Sequence, residues 1–286
     1  VVISFEIPSN LKSQYAFKAG QYLTLSSHIN GEKVKRSYSI CSSPESMSLQ
    51  VGVKAIENGV FSNYVNDALR EGDSIEVSVP EGRVVLNDNP VANYCAFVAG
   101  SGITPLMSIV SDVLSKNKSS VFIMGYGNKT KASTMFTSDI DELKSLYPKR
   151  FYCYNIYSKE NNPEAAFGRI DSNFINYILK QHSDVIFEKV LLCGPEKMIE
   201  DSKETLEKAN YSKDKVLYEL FYSKPAVEDN EKGKGSSAKI IYDEETLDLE
   251  VPEKMTILDA ALQKNIDVPY SCQGGVCSSC IAKITS

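Results

Sequence analysis

Two rhythms of apolar and polar positions divide this chain. Through about residue 88, short runs of alternating apolar and polar residues at 1–7, 21–26, 36–40, 48–53 and 74–79 predict strands. Gly20, Asn30-Gly31, Asn58-Gly59, Glu71-Gly72-Asp73 and Pro80-Glu81-Gly82 punctuate them. One brief helical stretch, 61–68, interrupts the series. Short strands this closely spaced predict a small antiparallel barrel over residues 1–90.

From Tyr94 the period changes. Apolar runs at 94–99, 121–126, 151–157, 189–193 and 216–221 alternate with helical patterns at 104–115, 138–146, 172–181 and 196–209. In the first helix Ile103, Leu106, Met107, Val110, Val113 and Leu114 mark one face, and Pro105 suits the first turn. The alternation predicts a parallel sheet of βαβ units over residues 91–222. Residues 223–237 are charged and rich in Gly and Ser, with almost nothing to bury, and read as a linker able to span roughly 20 Å as a coil. Beyond it, residues 238–286 form a third domain, with strands at 238–242 and 246–251 and a helix at 256–264. Thr256 and Asp259 there have capping-box spacing, and Ile257, Ala260 and Ala261 supply apolar contact.

Length and composition agree with this division. A chain of 286 residues exceeds one ordinary core, and 42% hydrophobic with 24% charged residues is normal for a globular protein. No apolar run approaches the roughly 18 to 20 residues of a membrane span, so a soluble, cytoplasmic protein is expected. A net charge of −6 and a pI near 5.2 argue against a nucleic-acid binder. Of the seven cysteines, Cys41, Cys95 and Cys153 stand singly in apolar settings and read as buried spectators. Cys272, Cys277 and Cys280 crowd together, which in a chain without secretory features favours metal over disulfides. With only His28 and His182, far apart, no histidine-based metal motif or acyl-transfer triad is suggested.

Three groups of residues carry candidate chemistry. In Arg36-Ser37-Tyr38-Ser39-Ile40, a cation, an aromatic ring and a hydroxyl are expected to share one strand face, where they would suit a pyrophosphate and a flavin ring. Parallel sheets bind ligands beyond the carboxyl ends of their strands. Gly100-Ser101-Gly102-Ile103-Thr104-Pro105, Gly125-Tyr126-Gly127-Asn128, Cys193-Gly194-Pro195 and Glu219-Leu220-Phe221 are all expected there. The first is a turn that would bring backbone N–H groups and a helix start to a pyrophosphate, although it lacks the full G-x-G-x-x-G pattern and equally fits a plain strand-to-helix turn. Third, Cys-x4-Cys-x2-Cys is the plant-type [2Fe-2S] spacing, with Gly274 and Gly275 allowing a tight curl. Structural zinc, which favours paired C-x2-C spacings, is the alternative. The pattern normally continues to a distant fourth cysteine, and none follows Cys280. Val1 opens directly into strand-like sequence, so a chain trimmed at both ends is expected.

In this order the motifs resemble the ferredoxin–NADP reductase superfamily, in the branch with a C-terminal plant-type ferredoxin domain that includes reductase components of phenylacetyl-CoA oxygenases (epoxidases). The resemblance covers nearly the whole chain. It implies a flavin-binding barrel, a nucleotide domain and a β-grasp ferredoxin domain, the last incomplete at its C-terminus. It implies FAD held by Tyr22, Arg36, Ser37, Tyr38, Ser39, Val53 and Lys54, with Gly59, Val60, Phe61 and Ser62 at the pyrophosphate. A relative with the same domain order uses FMN, but the Gly-Val-Phe-Ser stretch looks more like the FAD members. Gly100, Ser101, Gly102, Ile103, Thr104, Pro105, Asn128, Lys129, Cys193, Gly194, Pro195 and Met198 are implied for the nicotinamide dinucleotide. Tyr38, Ser39, Thr104, Glu219 and Phe221 are implied around the reacting rings, with neither Thr104 nor Glu219 an obligatory acid or base, and Cys272, Cys277 and Cys280 as cluster ligands.

The implied activity is electron transfer from NADH or NADPH through FAD to the cluster and on to an oxygenase, in phenylacetate degradation. Lys129 and Lys131 stand where a 2'-phosphate would be read, with no acidic residue among Gly127-Asn128-Lys129-Thr130-Lys131, which favours NADPH over NADH. A solvated loop is the alternative for these lysines. The competing functional readings are a redox-responsive binding module, a scaffold without cofactor, and a reductase for another acceptor such as a hybrid-cluster protein.

Overall fold

The computed structural model describes residues 1–286 apart from 47, 83, 87–90, 221–234, 243–244, 254, 265, 267, 269, 271–279, 281 and 285–286. Contacts divide the chain into two compact units, Val1–Phe221 and Tyr222–Ser286.

The first unit begins with β1 (Val2–Phe5), β2 (Tyr22–Ile29), β3 (Glu32–Ser39), β4 (Leu49–Gly52), α1 (Val60–Asp67) and β5 (Glu76–Val77). Strands β2 and β3 form a hairpin whose turn residues Asn30 and Gly31 both have positive φ, 53° and 85°. That two-residue geometry matches the natural twist of paired strands and suits an Asn-Gly sequence. Strand β5 adds to the other edge of β2, and β1 pairs antiparallel with β4. Single bridges at Ile40↔Val51 and Tyr22↔Glu81 carry the pairing onward between these pieces, giving the small antiparallel barrel that the strand spacing predicts. Leu23, Leu25, Ile40, Leu49, Val51 and Val53 fill its core, and α1 covers it with Phe61 and Val65.

The remainder of the unit comprises β6 (Asn93–Ala99), α2 (Ile103–Lys116), β7 (Phe122–Asn128), α3 (Thr137–Leu146), β8 (Phe151–Tyr157), β9 (Ala166–Phe167), α4 (Ser172–Gln181), β10 (Phe187–Gly194), α5 (Glu196–Lys208) and β11 (Val216–Leu220). The strands form one six-stranded sheet in the order β11-β10-β6-β7-β8-β9, and every neighbouring pair is parallel. Along β6 the pleat sends Tyr94, Ala96 and Val98 to a core shared with α2 and α3, and Cys95 and Phe97 to one shared with α4 and α5. Both faces are covered, which is why the strands read as nearly continuous apolar runs. The chain leaves β6 for β7 on one side and later returns to β10 on the other, so a crevice opens at the carboxyl ends of β6 and β10. Ala19 and Cys41, from the barrel segment, are buried in the same core as α2.

Helix α2 spans nearly the predicted range, and its end is closed by a residue from far along the chain. Arg150 donates through Nη1 to Asn117 O at 2.6 Å and through Nη2 to Leu114 O at 3.0 Å, while its guanidinium stacks 4.8 Å over the Tyr147 ring. These carbonyls have no partner within the helix, so a fixed cation there satisfies them and opposes the negative helix end. Arg150→Ala is expected to destabilise the first unit by about 2 kcal/mol, the scale for lost charged hydrogen bonds, read as a lower urea midpoint at unchanged slope.

The second unit pairs β12 (Ser236–Tyr242) antiparallel with β13 (Glu245–Val251) and packs α6 (Ile257–Gln263) on them. Leu249, Val251, Ala260 and Ala261 form its buried centre. Thr256 caps the helix, accepting from Asp259 N at 3.0 Å and donating to Asp259 Oδ2 at 2.6 Å, so the capping spacing predicted there is used. Among the described residues no helix is long and apolar enough to cross a membrane.

Candidate functional site

The barrel's contribution starts on β3. The register sets Tyr38 opposite Leu23 and Arg36 opposite Leu25, and it sets Ser39 opposite Tyr22 and Ser37 opposite Thr24. Directly opposed residues in an antiparallel pair share a face. Arg36 and Tyr38 therefore lie on the face of the barrel core, and Ser37 and Ser39 lie on the other. The expectation that Arg36, Tyr38 and Ser39 share one face fails on the pleat itself, because 38 and 39 are consecutive. The Ser37 and Thr24 hydroxyls meet at 3.0 Å. Ser39 is 3% exposed, and among the described residues its Oγ has no hydrogen-bond partner. A buried hydroxyl left this way costs free energy unless a bound group satisfies it.

Tyr38 packs its ring 5.8 Å from Phe61, which links β3 to the start of α1. Burial, opposed by the nearby Arg36 charge, pushes its phenol up to about 12, so it stays neutral at physiological pH. Helix α1 begins at Gly59, which has no side chain to accept from the first-turn N–H groups. A methyl on Gly59 would fall 2.3 Å from Ser62 Oγ and 2.4 Å from Ile56 Cγ1, so the turn is closed around the bare backbone. Ser62 Oγ is 3.3 Å from Ile56 N and takes its hydrogen bond. Val60 is exposed, and Phe61 and Ser62 are buried. Tyr22 is buried, with its hydroxyl 3.3 Å from Glu81 Oε2. A ligand anion at the first-turn N–H groups of α1, which Gly59 cannot cap with a side chain, and a polar ring edge at the Ser39 hydroxyl, unpartnered among the described residues, both fit this arrangement.

At the crevice, Gly100–Gly102 forms a 3-10 turn leading into α2. Gly100 has φ of 56° with open space where a side chain would be, while Gly102 lies so close to β10 that a methyl would be 2.3 Å from Cys193 O. Ser101 O accepts from Thr104 Oγ1 at 3.0 Å. Ile103, Thr104 and Pro105 are buried in the first turn of α2. Across the crevice the register pairs Cys193 with Glu219 and Gly194 with Leu220. Cys193 is fully enclosed; burial first, and then the Glu219 charge, raise its thiol well above its usual range, so it is no thiolate nucleophile. Met198 packs back on Gly194, where a methyl would be 2.8 Å from Met198 Cε.

Cys95 and Cys41 are buried, as the sequence predicts, whereas Cys153 is only half-buried. Burial pushes the Cys41 and Cys153 thiols up to about 12.

The two lysines expected at a 2'-phosphate differ. Lys131 Nζ forms an ion pair with Glu164 at 3.0 Å on the flank of a polar cavity of about 440 Å³ between α3 and β8. That pairing raises its pKa. Lys129 lies close enough to Lys54 that, after burial, its charge is the second cause lowering the Lys54 pKa. Asn128 is buried at the end of β7.

Gly52, Ser133 and Phe136, which carry no motif signature, join the barrel residues Val53 and Lys54 to the nucleotide turn. Lys54, just past β4, donates to Ser133 O at 3.0 Å, joining the barrel to the turn before α3. A methyl on Gly52 would lie 2.8 Å from Phe136 Cζ and 2.9 Å from Thr104 Cγ2, so β4, α2 and the 133–136 turn converge at one point. Val53, next to it, is fully buried. Phe221, Cys272 and Cys277 lie outside the described residues; Cys280 is half-buried.

Three family models match in the order of these sites: an oxidoreductase FAD-binding domain over residues 1–86, an oxidoreductase NAD-binding domain over 97–204, and a 2Fe-2S iron-sulfur cluster binding domain over 240–286. A component of the 1,2-phenylacetyl-CoA epoxidase of Escherichia coli is 35% identical over 99% of this chain and 82% of its own length. The ferredoxin reductase component of 3-ketosteroid-9-alpha-monooxygenase from Rhodococcus rhodochrous is 30% identical over 99% of this chain and 81% of its own. A ferredoxin NADP+ reductase structure from Neisseria gonorrhoeae superposes with a TM-score of 0.65 at 19% identity, covering 77% of this chain and 92% of that one, which supports the fold. A match of this extent, on a barrel followed by a parallel-sheet nucleotide domain and an iron–sulfur domain, places the chain in the ferredoxin–NADP reductase superfamily, in the branch with a C-terminal 2Fe-2S domain, as an NAD(P)H-dependent oxidoreductase.

Proposed function

We propose that the chain is the reductase component of a multicomponent oxygenase, taking hydride from NADPH in preference to NADH and delivering single electrons to its partner. The hydride-transfer part of this reading is carried by the meeting of the nucleotide turn with the barrel, where the Thr104 methyl comes up against the strand at Gly52. The preference for NADPH rests on Lys129 and the lack of an acidic residue among residues 127–131. FAD, when bound, supplies the conversion between a two-electron hydride donor and a one-electron acceptor.

The chain's own residues bind and orient. Arg36 and the N–H groups of Val60, Phe61 and Ser62 would hold the flavin pyrophosphate, and Tyr38 would cover its ring. The Ser39 hydroxyl would donate to a ring atom and so find the partner it lacks among the described residues. Tyr22, Ser37, Val53 and Lys54 would line the same seat. Gly100 to Pro105 would cradle the nicotinamide dinucleotide, with Cys193, Gly194, Pro195 and Met198 flooring the crevice, while Thr104, Glu219 and Phe221 would bound the nicotinamide. Lys129 with Asn128 would meet the adenosine ribose. Lys131, already committed to Glu164, is the weaker candidate for a 2'-phosphate. Cys272, Cys277 and Cys280 would ligate the cluster. An oxygenase of the phenylacetyl-CoA epoxidase kind is the proposed acceptor, on the strength of the E. coli relative.

Anaerobic titration with NADPH and then NADH, following flavin and iron–sulfur absorbance, tests the reading. Flavin bleaching followed by cluster bleaching, at lower NADPH than NADH, is the expected result. A bound flavin that responds to neither nucleotide would overturn it. Tyr38→Ala is expected to weaken FAD binding about tenfold, the worth of roughly 1.4 kcal/mol of aromatic stacking. Flavin content after extensive dialysis checks this, and full retention would remove Tyr38 from the seat.

A further inference from the structure

Phe136 is a bulky aromatic residue held at φ 58° and ψ 30°, in the left-handed region. Side chains with a Cβ rarely adopt that conformation, and it persists only where surrounding contacts impose it. The contacts here are specific. The Tyr126 hydroxyl donates to Gly100 O at 3.1 Å, and it is 3.5 Å from Met135 O. Lys54 Nζ donates to Ser133 O at 3.0 Å. Thr130 and Ser133 cap the start of the turn reciprocally. From α3, Ile140 N donates to Phe136 O at 2.9 Å, fixing the other end.

What this clamped turn presents is the tip of the Phe136 ring, against the backbone of Gly52 on β4. The same spot receives the Thr104 methyl from α2, and no room is left for a Cβ between the three. Gly52 precedes Val53 and Lys54, which belong to the proposed flavin seat, and Thr104 belongs to the proposed nicotinamide pocket. The gap at Gly52 therefore sets how closely the two halves of the reacting pair approach.

We propose that Phe136 is a positioning residue for hydride transfer: its strained backbone holds the ring as a spacer between β4 and the first turn of α2, fixing the distance from flavin seat to nicotinamide pocket. The inference rests on the reading given under Proposed function. Phe136 touches neither cofactor in this scheme and acts through Gly52 and Thr104. Displacements of about 1 Å in such a pair cost up to a hundredfold in rate.

The experiment compares Gly52→Ala, Phe136→Leu, Phe136→Gly and the Gly52→Ala/Phe136→Leu double variant with the unmodified holoprotein. Four quantities are read: the rate of flavin reduction at saturating nucleotide, the dissociation constant for oxidised nucleotide, the flavin content, and the thermal midpoint. Gly52→Ala, which wedges the contact open, and Phe136→Leu, which empties it, are each expected to slow reduction about tenfold. Nucleotide affinity should change less than about threefold and flavin content should hold. The double variant keeps only the 2.9 Å clash with the Thr104 methyl, so its loss is expected to be clearly smaller than the product of the two single losses. Phe136→Gly relieves the left-handed strain but also loses the ring's packing on the α2 and α3 core, so its thermal midpoint should fall below that of Phe136→Leu while its rate stays about as low as that variant's, a separation of rate from midpoint that a merely structural role would not produce.

Additive losses in the double variant, or rates that simply follow thermal midpoint or flavin content, would overturn the spacer. If the unmodified flavin-loaded protein were reduced by neither nucleotide, the functional reading itself would fall and the spacer with it. That outcome is distinct from failure of the cycle in a protein that both nucleotides reduce.

Discussion

Gly102→Ala is expected to weaken binding of both NADPH and NADH about thirtyfold while leaving flavin in place. Gly102 has an ordinary helical φ of −60°, so the obstacle is not backbone strain. It is the wall behind the residue, where an added methyl would sit 2.3 Å from Cys193 O and 2.6 Å from Cys193 C. Those atoms belong to β10, paired on both sides within the parallel sheet, and cannot retreat. The 3-10 turn must lift instead, carrying the first turn of α2 away from the crevice. Forcing a methyl into a closed contact costs about 1 to 3 kcal/mol, and 2 kcal/mol corresponds to roughly thirtyfold in affinity. Gly100→Ala is the internal contrast. Its φ of 56° disfavours alanine, but nothing lies within 4 Å of the new methyl. That variant should lose only the smaller left-handed cost of about 1 kcal/mol, some fivefold. Titration of the flavin spectrum with oxidised nucleotide separates the two. Equal losses, or an unchanged affinity in Gly102→Ala, would show that the turn is not the nucleotide seat. The barrel's core of Leu23, Leu25, Ile40 and their neighbours is separate from the substituted turn, which is why flavin should stay.

The elements that can be read from sequence are those whose own residues carry the signal. Helix α2 is predictable to within a residue at each end because its apolar face, from Ile103 to Leu114, repeats at helical spacing. The capping pair Thr256 and Asp259 is legible for the same local reason. The β2–β3 hairpin runs further than its apolar alternation, reaching Ile29 and Glu32, because backbone pairing continues through the polar Ser27, His28, Lys33 and Lys35, with only Ile29 and Val34 there packed on the barrel core. The Asn30-Gly31 turn announces that hairpin more strongly than the strands do. Strand β9 has two exposed residues, Ala166 and Phe167, and no pattern that short can be distinguished from a loop. At the site, motif residues are legible and their mutual geometry is not. That Ser39 faces away from Tyr38 follows from the pleat once the strand is fixed. That Lys131 is committed to Glu164, or that Phe136 and Thr104 meet over Gly52, depends on contacts between residues 33 to 84 positions apart, which no local periodicity encodes.

In the full-length protein, Cys277→Ala is expected to abolish the iron–sulfur absorbance and reduce bound iron to background, with NAD(P)H-dependent flavin reduction kept within about twofold. The asymmetry follows from ligation and from the division of the chain. A thiolate is a strong, charged iron ligand, and the C-x4-C-x2-C spacing of Cys272, Cys277 and Cys280 offers no neighbouring His or carboxylate to replace one. The cysteines lie in the unit Tyr222–Ser286, whereas the barrel and the nucleotide sheet lie in Val1–Phe221 with cores of their own. Loss of the cluster should therefore leave the nucleotide and flavin seats intact. Delivery to a one-electron protein acceptor should fall more than about a hundredfold, and reduction of a two-electron dye should persist. Cys95→Ala is the matched control: Cys95 is completely buried in the sheet core, where burial raises its thiol pKa far above the usual range, and its loss should cost stability without touching iron content. A cluster retained in Cys277→Ala would sink the ligand assignment. Simultaneous loss of flavin reduction would instead show that the two units depend on one another for folding, because the cysteine itself has no part in hydride transfer.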